Sequence, residues 1–351
     1  MTPLRVLEGP PGPPWGGALA GRIDGHVVHS EILESNPLGD PPRRPLYVYV
    51  PPGADDAGDL PSVYVLQGMT GQVDMWANRV AFEPTMFERL DALFEDSSVP
   101  RGIVVFVDAW TSYGGSQFIN SPGTGRYMDY ICDEVVPFID AEYPTAPDRD
   151  RRGVTGKSSG GYGAMVVPML RPDVFGALAS HAGDALFECC YQPEFPETAR
   201  TLRDQFEGSY DVFWERFRAA ERFDFHLYGA PMDTYAMAAC YSPDEERPGK
   251  AVLPFDIDTG RLLDDVWQRW LTWDPVRMVP KHAEALATMR KIYLDAGRSD
   301  EYYLDLGAQA VSKELHKLGI EHTLVLFEGK HGGLQYRYPH AIRTLIEALA
   351  A

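Results

Sequence analysis

Cysteine is scarce in this chain, with four among 351 residues: Cys132, Cys189, Cys190 and Cys240. No two stand as C-x-x-C, and no Cys/His set has zinc-ligand spacing, so nothing in the sequence argues for a metal. Cys189 and Cys190 are adjacent, a poor arrangement for a disulfide, and free thiols are expected, as in a reducing compartment. Long apolar runs are missing too. None reaches the roughly 18 residues of a membrane-spanning helix, and the stretch from Met1 has no apolar h-region of a secretory signal. The expectation is a cytoplasmic protein without membrane attachment. Basic residues are outnumbered, 32 Lys and Arg against 51 Asp and Glu, for a net charge of −19. A surface of that sign repels phosphates, which excludes nucleic acid as a partner and disfavours strongly anionic substrates.

What is present suits a globular protein with a sizeable core. The chain is 44% hydrophobic and 24% charged, and its length fits one large domain with an insertion or two modest domains. Residues 1–25 are rich in Pro and Gly and are expected to form a loose arm. Strands are predicted at His26 to Leu33 and Leu46 to Val50. Ser62 to Gln67 and Gly102 to Asp108 are short, largely apolar runs of the kind that parallel strands show when buried on both faces. Helices are predicted over Pro84 to Phe94, with Pro84 in its first turn, and over Tyr127 to Glu142, kinked by Pro137. A strand at Arg152 to Thr155 then runs into a glycine-rich turn and a further helix, and Gly176 to His181 is the next strand.

Alternating strands and helices of this kind predict a mostly parallel, doubly wound α/β sheet. The alternation breaks at 186–284, an aromatic, irregular stretch with helical patches at Tyr210 to Phe223 and Leu262 to Leu271. It resumes with a strand at Lys291 to Asp295, a helix at Glu301 to Leu318, a strand at His322 to Phe327 and a last helix at His340 to Leu349. Residues 26–185 and 285–351 therefore form one catalytic domain in this reading, with 186–284 as an inserted cap or lid. The alternative is a second independent domain.

Gly156-Lys157-Ser158-Ser159-Gly160 is a G-x-S-x-G sequence. The pattern alone is weak, but here it follows a short strand and opens a helix, the context of a nucleophile elbow. A serine there takes a strained backbone, and the residues two before and two after it must be small. Gly156 and Gly160 satisfy that for Ser158, whereas Ser159 has Lys157 two before it. The helix that follows aims its N-terminus at the same place, where negative charge would develop. The bland alternative is a glycine-rich turn capped by serine.

A serine nucleophile needs a base, and the base an orienting acid, which in this architecture follow the serine in the order acid, then His. Asp300 lies in the loop after the strand ending near Asp295 and is the expected acid; it can also be read as the N-cap of the following helix. Asp295 suits a structural role, and Asp184, after His181, is the reserve acid. His331, in the glycine-bearing loop after the last strand, is the expected base. The backbone N–H groups of Ser159 and Met69 are the expected oxyanion donors, Met69 from the loop Gln67-Gly68-Met69-Thr70-Gly71. Trp76, Trp110 and Tyr113 follow strand ends and are candidates for a substrate pocket, as is Asp184. Trp267 and Trp270 share a helix face and suit a core.

These residues resemble the esterase D-like family of α/β-hydrolases, which includes S-formylglutathione hydrolases, enterochelin and feruloyl esterases, and mycolyltransferases. The resemblance spans about 45–185 and 285–351. It is carried by Tyr47-Val48-Tyr49-Val50-Pro51-Pro52, by Gln67 to Gly71, by Glu134-Val135-Val136-Pro137-Phe138-Ile139, by the block Thr155 to Met165, and by Gly297-Arg298-Ser299-Asp300 and Lys330-His331-Gly332. It implies a cofactor-free and metal-free triad of Ser158, Asp300 and His331, with Met69 and Ser159 as oxyanion donors. Lys157 stands where many members carry His, Ser159 where Met is frequent, and Gly333 where an aromatic often follows. The expected function is hydrolysis of a small-molecule carboxylic ester or thioester through an acyl-enzyme. An acyltransferase with the same triad and a non-catalytic binding module on the same fold are the alternatives, and the sequence is silent on oligomeric state.

Overall fold

A computed structural model describes residues 18–351. Eight strands form one sheet: β1 (Arg22–His29), β2 (Arg43–Val50), β3 (Ser62–Leu66), β4 (Ile103–Val107), β5 (Arg152–Ser158), β6 (Ala177–Gly183), β7 (Lys291–Gly297) and β8 (Thr323–Phe327). Their order is β1-β2-β4-β3-β5-β6-β7-β8. β1 pairs antiparallel with β2, and β2 with β4; every later neighbour is parallel.

The central strands are short because both faces are covered. β3 and β4 are buried at every position, and their β-branched side chains fit a pleated surface. Alternate residues serve opposite layers. Tyr64 and Leu66 join the core on one face, Val63 and Val65 the core on the other. The second layer is closed by the last helix, Tyr338–Ala350, through Ile342, Leu345 and Ile346. Each such side chain contributes roughly 1.5–3 kcal/mol by leaving water.

The 186–284 stretch between β6 and β7 is mostly helical. Its main helices are Phe195–Gln205, Tyr210–Ala219, Phe225–Tyr241 and Asp264–Leu271. It does not build a core of its own: Phe195, Met237 and Trp270 belong to the same apolar cluster as Tyr64 and Leu178 of the sheet. Trp267 and Trp270 are buried in it as core residues.

Several boundaries differ from expectation. β1 begins at Arg22, so 22–25 are not part of a loose arm; residues 1–17 of that arm lie outside the described residues. β1 also ends at His29, and Leu33 lies in the turn that follows. Pro84 precedes its helix, which starts at Met86 after a Thr85 cap reciprocated by Glu88. Pro137 stands in the first turn of a separate helix, Val136–Glu142, which follows a π turn at Tyr130–Val135; there its missing N–H is tolerated. The four cysteines are free. Among the described residues no helix is long and apolar enough to cross a membrane.

Candidate active site

β5 ends at Ser158 and the next helix starts at Ser159. Ser158 itself has φ 58° and ψ −126°, a region that side-chain-bearing residues avoid. The β5–β6 register slips between Lys157 and Ser158, where the chain turns out of the sheet. Two glycines make this turn possible: a Cβ on Gly156 would strike the Gly160 carbonyl, and one on Gly160 the Leu66 carbonyl. Ser159, the rival, is buried in the first helical turn with its hydroxyl 3.4 Å from Asp184 Oδ2.

β3 pairs with β5 along its length, so the loop after β3 lies against this elbow. A Cβ on Gly68 would come within 3.6 Å of Ser158 Cβ. In that loop the Thr70 N–H donates to the Gly114 carbonyl at 2.8 Å and the Gly71 N–H to the Gly68 carbonyl at 3.0 Å. Among the described residues the Met69 N–H has no such acceptor.

The loops after β7 and β8 meet at the same end of the sheet. His331 Nδ1 is 2.9 Å from Asp300 Oδ2, and the acid's side chain is buried. Asp300 Oδ1 accepts the Tyr302 N–H at 2.9 Å, and the Tyr302 ring meets His331 edge-on with centroids 4.9 Å apart. The helix here begins at Leu304, not Glu301, so Asp300 is not its cap. Glu301 accepts the backbone N–H of His331 at 2.9 Å. That bond, before any other cause, holds the Glu301 carboxyl down to about 2.

Ser158, His331, Met69 and Ser159 all line one cavity of about 500 Å³. Among the described residues the His331 side chain bonds to Asp300 and not to Ser158; serine–histidine bonds often close only around a substrate. The "Putative esterase" family profile matches residues 41–332. The chain belongs to this family. It is 26% identical to mouse S-formylglutathione hydrolase over 143 residues, 38% of this chain and 50% of that protein. Across the first curated relatives the match spans 50–59% of their length. Among solved structures, a ferulic acid esterase superposes with TM-score 0.58 at 16% identity, covering 95% of this chain and 99% of the other. An S-formylglutathione hydrolase from Agrobacterium tumefaciens gives 0.57 at 15%, covering 95% and 98%. The fold is that of the α/β-hydrolases.

In this esterase-family chain the structure sorts the remaining candidates. Trp76 lines the cavity and packs on Phe106 and Tyr338, centroids 5.3 Å from each. Asp184 lines it too. Its Oδ2 accepts from Tyr191 at 2.7 Å and Gln117 at 3.1 Å, while His331 Nδ1 faces Asp300. Trp110 and Tyr113 are not at the cavity. They follow β4, which β3 separates from β5. The Trp110 carbonyl accepts from the Arg44 guanidinium, and Tyr113 stacks on Trp214 at 4.8 Å while its hydroxyl donates to the Gly249 carbonyl at 2.7 Å. His181 and Asp295 form a buried 2.7 Å contact that Arg337 completes, a structural role.

The insertion supplies what the motifs did not mark. Glu194 and Asp233 line the cavity. Burial, and after it the neighbouring Asp233 charge, pushes Glu194 up to about 9; burial, then the Asp184 charge, pushes Asp233 up to about 7. Lys157 is also at the cavity, and burial lowers its ammonium pKa against the pull of Asp300 and Asp184.

Proposed function

We propose that this protein hydrolyses a carboxylic ester or thioester through an acyl-enzyme formed on Ser158. The observation that carries the reading is the strained Ser158 elbow in one cavity with a histidine held by a buried carboxylate. His331 Nε2 takes the Ser158 proton as the oxygen attacks the carbonyl carbon, and Asp300 fixes the imidazole through Nδ1 and stabilises the imidazolium. The oxyanion is met by the N–H groups of Met69 and Ser159, with the helix N-terminus behind them. His331 then returns the proton to the leaving alcohol or thiol. Water, deprotonated by His331, attacks the acyl-enzyme and frees the acid. The family and the relatives support ester hydrolysis as the reaction class.

The helices of 186–284 act in this reading as a cap, since Glu194, Asp233 and Phe225 reach the cavity from them. Turnover of short-chain p-nitrophenyl esters by wild type and Ser158→Ala tests the assignment. The expected loss is about a thousandfold or more in kcat. Equal turnover by the two proteins would overturn it.

A further inference from the structure

The cavity before Ser158 has an acidic wall. Buried or half-buried carboxylates elsewhere in the molecule have partners: Asp108 has Arg44 at 2.7 Å, the half-buried Asp140 has Arg152 at 2.7 Å, and Asp295 has His181 and Arg337. Asp274 has Arg277 and the N–H groups of Leu186 and Phe187. Glu194 and Asp233 differ. Both face the same cavity, and among the described residues neither has an ion pair or a backbone N–H donor. Asp233 is also the lone acid of the Phe225–Tyr241 helix, which carries no Lys or Arg.

Two carboxyls facing one partly closed cavity without a cation beside them do not both ionise cheaply. As a structural element such a pair gains little, because an apolar pair would fill the space without a desolvation penalty. As a receptor for an ammonium group it is well suited: the incoming cation stabilises the ionised pair, and a proton it displaces leaves to solvent. Glu197 lines the cavity beside the pair, and so do the rings of Tyr191, Phe225 and Tyr302, which attract cations through their π faces. That a ligand enters here is marked independently of the acids, by the Ser158 elbow and the Asp300–His331 contact.

We propose that the site selects esters or thioesters whose acyl or leaving group carries an ammonium group, with Glu194 and Asp233 as its counter-charge. The inference rests on the hydrolytic reading of the same cavity. It sets this chain apart from its relatives named for S-formylglutathione, because a glutathione conjugate has more carboxylates than ammonium groups; Lys157, the lysine of the cavity, has Asp300, Asp184 and Glu301 as its charge neighbours and leaves Glu194 and Asp233 without a cation.

The test compares butyrylthiocholine with its uncharged carbon isostere, S-(3,3-dimethylbutyl) thiobutyrate. The expected kcat/KM of the wild type is about tenfold or more higher for the cation. In a Glu194→Gln/Asp233→Asn variant the ratio falls to near one. Calorimetry of the same two compounds on Ser158→Ala reads binding without turnover and is expected to show the same order. A wild-type ratio of one or less, or a ratio untouched in the variant, overturns the proposal. Cation-selective binding by Ser158→Ala with no wild-type turnover of either compound would keep the ammonium site and sink the hydrolytic reading; turnover without selectivity would do the reverse.

Discussion

Glu301 takes the backbone N–H of His331 at 2.9 Å, while its chain neighbour Asp300 takes the imidazole at 2.9 Å. Consecutive acids on one loop thus hold both the main chain and the ring of the same histidine. The histidine loop is Glu328-Gly329-Lys330-His331-Gly332-Gly333, with three glycines and little packing to fix it. Glu301→Ala is therefore expected to lower kcat about tenfold through lost alignment, with KM little changed. Glu301→Gln keeps an acceptor and should retain most of the rate. Michaelis kinetics on one p-nitrophenyl ester separate the two.

Gly160 is the tightest point of the elbow, since a Cβ there meets the carbonyls of Leu66 and Gln67. Gly160→Ala must push β3 and the helix apart. The expected cost is about 2–4 kcal/mol, together with loss of turnover. Urea unfolding at constant slope measures the first, and an ester assay the second.

The Glu194–Asp233 pair gives stability a pH dependence of defined sign. Both carboxyls have folded pKa values above their unfolded ones, to about 9 and about 7. Between about pH 4 and 9 the folded state therefore holds more protons than the unfolded state, so these groups lower stability as pH rises. Melting temperature from pH 5 to 9 is expected to fall more steeply for wild type than for Glu194→Gln/Asp233→Asn. Parallel curves would remove the pair from the account.

Tyr113 is placed as a tie between the loop after β4 and the insertion, away from the cavity. Tyr113→Phe removes the bond to the Gly249 carbonyl and is expected to destabilise the fold by about 1 kcal/mol. Its KM should match wild type. A large KM change would return this residue to the substrate.

The elements that the sequence made legible are those with strong local physics. Val63 to Leu66 and Ile103 to Val107 are short, branched and apolar because both sheet faces are covered. Gly156 and Gly160 flank Ser158 because the elbow leaves no room for side chains. Asp300 and His331 could be picked out by position, each in a loop after a late strand. Strand order was not legible in the same way. Trp110 and Trp76 both follow strand ends, but only β3 lies beside β5, and no local pattern carries that. The Phe225–Tyr241 helix was missed because it is buried nearly all round, so it has no polar stripe, and Gly229 and Pro231 interrupt it. Glu194 and Asp233 sit on separate helices, and only tertiary packing brings them together; the lone acid in an apolar run was the available signal.

The central claim is that Ser158 is an activated nucleophile. A fluorophosphonate probe, applied to wild type beside Ser158→Ala and followed by peptide mapping, tests it most directly. The account predicts one adduct, on the Ser158 peptide, absent from the variant. An adduct on another residue, or none on native wild-type protein, would contradict it.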